Sequence, residues 1–272
     1  MTNDNILKRK GAKKAGDIPG EVLKQLNKGS IETVNLTEWL AVDHPTLIAC
    51  TFPGIGIPDM LIQNILTGIR KQKQNTTMNT IRLVGLSLFN HYTDKTGHIS
   101  IFEKLSSHSS DSIRCYAPHL ISPDNTMDIR EKLTLLEKLA ADKHFGVREI
   151  AWMAIRPDIE KDLDTAIRIL SQWSKSTDEH IRRFSSEVIR PRGVWCKHLE
   201  TLKDKPEQAL PILENLKADP SKYVQDSVAN WLNDASKSRL SFVKETCQRW
   251  EKESPVKATR YIIKKALRTI DQ

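Results

Sequence analysis

The chain has 272 residues, 39% of them hydrophobic, with 42 Lys and Arg against 34 Asp and Glu, a formal charge of +8 and a pI near 9.2. That composition supports a folded core, and the basic balance suits either a polyanionic partner or a plain solvated surface. No apolar run reaches the ~20 residues a membrane helix needs, nothing at the start resembles a signal peptide, and Cys50, Cys115, Cys196 and Cys247 form no C-x-x-C pair, which argues for a reducing cytoplasm.

In chain order, "LKRKGAKKAGDIPG" (7–20) is basic, carries three glycines and shows no apolar face. Residues 1–20 are therefore expected to be a flexible arm, a solvated tail or a DNA-tracking segment, ahead of one domain over 21–272. "TFPGIGIPDM" (51–60) is expected to be a loop. Its G-x-G lacks the third glycine and the strand-to-helix setting of a nucleotide site.

From Ile81 onward, six eleven-residue stretches align without gaps: "IRLVGLSLFNH" from Ile81, "IRCYAPHLISP" from Ile113, "VREIAWMAIRP" from Val147, "IRRFSSEVIRP" from Ile181, "VQDSVANWLND" from Val224 and "TRYIIKKALRT" from Thr259. Their starts are 32, 34, 34, 43 and 35 residues apart. Apolar residues recur three and eight positions on, which is helical spacing. The fifth position is usually small (Gly85, Ala117, Ala151, Ser185), as a close helix crossing requires. Between them lie partner helices such as 130–140, 163–173 and 208–218, with Ser122-Pro123, Lys205-Pro206 and Asp219-Pro220 at the joints. The expected fold is all-α, a solenoid of HEAT-like helical hairpins.

Arginine recurs in phase, at the second position (Arg82, Arg114, Arg148, Arg182, Arg260) and at the tenth (Arg156, Arg190, Arg268). Such a track suits the phosphates of a nucleic acid; pairing with acids on the same helices is the alternative. In "SSEVIRPRGVWC" (185–196), Glu187 fills a seventh position where other units have Ser87, His119, Met153, Asn230 and Lys265. Pro191 ends that helix, and Trp195 falls on the joint beside Arg192, where it can stack on a sugar or base. One unit later, Asn233-Asp234 replaces the Arg-Pro. Asp234 is then either a cap for the following helix or a catalytic carboxylate, and Glu187 either a site residue or a partner of Arg183 or Arg190. Cys196-Lys197-His198 lacks a second pair of zinc ligands, so no metal is expected.

"STDEHIRRFSSEVIRPRGVW", "LPILENLKADPSKYVQDSVANWLNDASKS" and "DIPGEVLKQLNKGSIETVNLTEWLAVD" resemble the DNA alkylation repair family of HEAT-like glycosylases, most closely its C-type branch without the C-terminal immunoglobulin-like domain. The resemblance implies a monofunctional enzyme, active as a monomer without cofactor or metal. It would remove cationic N3- or N7-alkylated purines from duplex DNA without base flipping, in base excision repair by a cytoplasmic, nucleoid-associated protein. By position it assigns Glu187 and Trp195 to the family motif E-G-x-R-P-R-L-P-W and Asp234 to S-V-A-N-H-L-N-D as catalytic residues. It places Trp152, Arg148, Arg156, Arg190, Arg192 and Trp231 against DNA, the arginines on phosphates and Trp195 and Trp152 against the deoxyribose. Three departures stand out: Gly193-Val194 for Leu-Pro, Trp231 for His, and Trp152 where C-type members carry a third active-site Glu. Two other classes stay open at this point, a non-catalytic scaffold for bent or branched DNA and a protein-interaction module.

Overall fold

A computed structural model of the chain describes residues 3–74 and 76–270, and among them there are α-helices and short 3-10 turns but no strand. This is the all-α helical-repeat fold that the periodicity predicts. The aligned stretches fall in Thr77–His91, in Asp111–Arg114 continued by Pro118–Ile121, and in Phe145–Lys161, Glu179–Glu187, Lys222–Ser236 and Lys257–Ala266. Their first residues, Ile81, Ile113, Val147, Ile181, Val224 and Thr259, are all buried. A side chain at Gly85 would run into His119 and come within 2.8 Å of the Tyr116 carbonyl, so the small fifth position is set by a close crossing.

Two compact units emerge, Met1–Thr126 with Lys143–Ala151 and Met127–Asp142 with Trp152–Gln272. In the first, the basic segment expected to be a flexible arm is held in place. Arg9 donates from Nε to Glu38 Oε1 (2.9 Å) and from Nη2 to Glu38 Oε2 (2.7 Å), while Nη1 and Nη2 also reach the carbonyls of Ile6 and Glu32. Ile6 and Glu38 are buried. Charge composition marks this stretch as soluble, but it cannot show that a buried carboxylate thirty residues later needs a counter-ion. The expected loop at 51–60 is likewise shorter. Helix His44–Ile55 runs through Pro53, and Gly56 ends it at φ 88° with the Ile57 N–H returning to the Phe52 carbonyl at 3.1 Å.

In the second unit, the repeat helices Glu179–Glu187, Lys222–Ser236 and Lys257–Ala266 pack one on the next, and the partner helices Ile129–Ala140, Leu163–Trp173 and Leu210–Leu216 do the same alongside. Acidic caps start several of these helices, with Asp128 in a capping box with Glu131, Asp162 accepting from Thr165 N–H and Asp178 from His180 N–H. The joints fall at the expected prolines. At one of them Asp219 accepts from Arg182 Nε at 2.6 Å and from the Ser221 N–H at 2.8 Å.

Arg9→Met leaves Glu38 buried without its cation, and equilibrium urea unfolding should then show a loss of about 3–5 kcal/mol; a loss below about 1 kcal/mol would mean that the segment is dispensable. Burial brings the pKa of His44, whose Nδ1 lies 2.6 Å from the Tyr116 hydroxyl, down to about 4. His119 also comes down to about 4 through burial, helped by the Arg82 charge. The unfolded chain binds these protons near pH 6.5 and the folded chain does not, so stability rises with pH across this window. Acidification from about pH 6.5 to 4 should lower the unfolding free energy by up to about 3 kcal/mol per histidine, and the His44→Gln, His119→Gln double variant should flatten that dependence.

Candidate active site

In three successive repeats the tenth position, Arg156, Arg190 and Asn233, reaches across to the following one. Arg156 donates Nε to the Lys197 carbonyl (3.0 Å), Nη1 to the Val188 carbonyl (2.7 Å) and Nη2 to the Arg190 carbonyl. It thus covers the backbone left open where helix Glu179–Glu187 ends ahead of Pro191. Arg190 spans the next interval. Its Nη1 meets Glu187 Oε1 at 2.7 Å, while Nε and Nη2 both meet Asp234 Oδ2, at 2.9 and 2.7 Å. Asn233 continues the series, with Nδ2 on the Ala266 carbonyl (2.9 Å) and on Thr269 Oγ1 (2.8 Å).

Glu187 and Asp234 are 4% and 5% exposed, two carboxylates from neighbouring helices gathered on one guanidinium. Glu187 is fully held, with Oε2 accepting from Ser227 Oγ at 2.7 Å and facing Arg183 Nη2 at 3.5 Å. Burial pushes its carboxyl up, but Arg183, Arg190 and the Ser227 hydroxyl outweigh that and keep it below the ordinary glutamate value. Burial also works against the Arg190 charge, and the two carboxylates reverse it, so the guanidinium stays protonated. Glu187 and Arg190 are therefore a true ion pair at neutral pH. Asp234 differs in having one oxygen almost free: Oδ1 meets only Lys237 Nζ, at 3.4 Å.

Asp234 lies inside helix Lys222–Ser236, and the following helix Leu240–Glu253 has no side-chain cap, so the capping alternative is overturned. The pairing of Glu187 with Arg183 and Arg190 is present. Trp195 stands apart from the carboxylates. It is 75% exposed, makes no ring contact or hydrogen bond, and holds φ 60°, the one positive φ outside glycine among the described residues. That backbone costs on the order of 1–3 kcal/mol. Gly193 next to it packs on the Arg156 guanidinium, where a Cβ would come within 3.2 Å of Cζ and collide with Cys196.

The residues expected on DNA need correcting. Trp231 is wholly buried and donates Nε1 to the Ile189 carbonyl at 3.0 Å. Trp152 is buried as well, as are Arg156 and Arg190, whose guanidinium groups are committed as described. Arg148 is buried within the first unit. Arg192 alone of that set is partly open, with Nη2 on Ser238 Oγ at 2.7 Å. The second-position arginines do not form a phosphate track either. Arg114, Arg182 and Arg260 turn back five or six residues onto loop carbonyls, at His108 and Ser109, at Ser176 and Thr177, and at Pro255. A guanidinium with several donors suits stranded carbonyls as well as phosphates, and the periodic pattern does not tell the two apart. Arg183 is the partner for Glu187 that the sequence offers, whereas nothing in it marks Ser227 or Lys237, although Ser227 opens "SVANWLND" and Lys237 follows it by three residues.

Among the described residues no three His, Cys, Asp or Glu side chains gather as metal ligands, and no helix is long and apolar enough to cross a membrane. Residues 158–270, which hold both carboxylates, Arg190 and Trp195, match one family. It is the DNA alkylation repair enzyme family. Over 134 residues, 49% of its length, the chain is 40% identical to the uncharacterized protein YhaZ of Bacillus subtilis (strain 168), and it spans little more than a third, 37%, of that relative. The alkylpurine DNA glycosylase AlkC of Pseudomonas fluorescens, solved bound to DNA containing an abasic site analog, has a similar fold: TM-score 0.67 at 25% identity, over 83% of this chain and 61% of that one. AlkD2 of Streptococcus mutans shares the fold at TM-score 0.62 and 23% identity, over 78% of this chain and all of its own.

Removing the guanidinium tests the cluster directly. Arg190→Met should cost about 3–5 kcal/mol at pH 8, where two buried carboxylates lose their common cation, and less at pH 5, where one of them can take up a proton. Urea midpoints at the two pH values would show this, and an equal deficit at both would contradict a charged cluster.

Proposed function

We propose that this DNA alkylation repair family member is a monofunctional DNA glycosylase that excises N3- or N7-alkylated purines from duplex DNA, on the pattern of the C-type branch. The observation that carries the reading is Asp234. It is a buried carboxylate with Oδ2 locked on Arg190 and Oδ1 nearly free, inside the stretch that matches the family. A purine alkylated at N3 or N7 is positively charged and already a good leaving group, so the enzyme has no need to protonate it. What remains is to stabilise an oxocarbenium-like sugar and to place a water, and a fixed carboxylate with one open oxygen does both. Glu187 acts through Arg190, fixing the guanidinium that fixes Asp234.

Trp195 is the second support. An exposed indole on a strained backbone has no packing rationale, and its face suits a sugar carrying developing positive charge, worth about 1–2 kcal/mol. Trp231, buried on the same helix as Asp234, ties that helix to the Ile189 carbonyl. The reading takes alkylated duplex DNA as partner, no metal or cofactor, a monomer, one repeat domain, and a cytoplasmic, nucleoid-associated location.

Wild-type protein incubated with methylated duplex DNA should release N3-methyladenine or N7-methylguanine. Asp234→Asn should lower the single-turnover rate by at least about a hundredfold, equivalent to ~2.7 kcal/mol of transition-state stabilisation, while duplex binding is retained. Absence of base release from the wild type would overturn the reading and leave the DNA-binding scaffold and the protein-interaction module, which duplex binding separates.

A further inference from the structure

Lys237 is the half-exposed partner of the open oxygen of Asp234. Its side chain is 48% exposed and follows directly on helix Lys222–Ser236, where the helix C-terminus attracts a cation. Its Nζ stands 3.4 Å from Asp234 Oδ1, a looser contact than the 2.7 and 2.9 Å bonds that hold the other oxygen. The other cations of the flanking segments are engaged elsewhere: Arg192 on Ser238 Oγ, Lys197 on Glu160 and Arg239 on the Asp204 carbonyl. Among the described residues, Lys237 is the cation on Asp234 Oδ1, and its side chain is half-exposed.

The geometry points to Lys237 as a counter-ion gate: in the free protein its ammonium occupies the open oxygen of Asp234, and on binding it is drawn off to a phosphate of the DNA backbone, uncovering that oxygen for the cationic nucleotide. This rests on the glycosylase reading only for the identity of the incoming cation; the exchange of ammonium between carboxylate and phosphate is a property of DNA binding itself. A long, half-exposed Lys side chain makes such an exchange at little cost, because the contact it gives up is weak and the phosphate oxygen it gains is fully charged. Arg190 cannot move in the same way, since it would strand two buried carboxylates. The site is thus kept charge-compensated while empty, and the compensating group leaves on the approach of the same backbone that presents the lesion.

The test is a double-mutant cycle on binding to undamaged duplex DNA, with wild type, Asp234→Asn, Lys237→Met and the double variant each titrated across a salt series. Asp234→Asn releases Lys237 in advance and should bind up to about fivefold more tightly than wild type, the equilibrium equivalent of an exposed ion pair. In the Lys237→Met background that gain should disappear. Lys237→Met should reduce the slope of log K against log salt by about 0.9, one phosphate contact, and Lys237→Arg should restore it. An undiminished gain in the Lys237→Met background, an unmoved slope, or no duplex binding at all would overturn the gate. The cycle needs no turnover, so a protein that shows the coupling yet releases no base refutes the glycosylase reading and leaves the gate standing.

Discussion

The second unit depends on one buried guanidinium. Arg190 leaves the end of helix Glu179–Glu187, binds the carboxylate one turn behind it and the carboxylate of the next repeat helix, and so joins two successive units through charge. Any one of the three groups alone would be costly to bury; Arg190 holds Glu187 Oε1 and Asp234 Oδ2, and Ser227 with Arg183 holds Glu187 Oε2. The remainder is a single oxygen, Asp234 Oδ1. The structural and the chemical readings of these acids are therefore compatible, because the same bonds that hold Glu187 and Asp234 in the fold also aim the free oxygen.

The same logic runs along the chain. Arg156, Arg190 and Asn233 occupy one repeat position and each reaches into the following unit, but what they find there differs: stranded carbonyls, a carboxylate, and a carbonyl with a hydroxyl. A repeat helix that ends early exposes carbonyls, and the preceding arginine covers them. That early ending also produces the 188–199 segment, with Gly193 against Arg156 and Trp195 on left-handed backbone. An irregular loop with an outward indole is thus positioned by a regular packing rule, through Gly193 against Arg156.

Trp152 and Trp231 show how far family motifs carry. Both replace polar residues that the C-type resemblance implies, and both are buried, Trp231 with its indole N–H on the Ile189 carbonyl. Two carboxylates and an arginine gather here, where the resemblance implies three carboxylates.

The sequence by itself determined the helical repeat, its joints at proline, and the candidates Glu187, Trp195 and Asp234, because periodicity and breakers act locally and a residue out of pattern marks itself. It did not determine what the arginines do. A guanidinium at a fixed repeat position serves phosphates, acids or carbonyls equally well in sequence, and only packing showed Arg114, Arg182 and Arg260 on loop carbonyls and Arg156 and Arg190 buried. Tertiary structure also decided that the basic start of the chain is pinned by Glu38, that Asp234 sits within its helix, and that Lys237 touches it. The pairing of Arg9 with Glu38 is a long-range choice made by burial and charge, whereas at Lys237 a three-residue spacing offered the contact and the orientation of Asp234 determined which oxygen it meets.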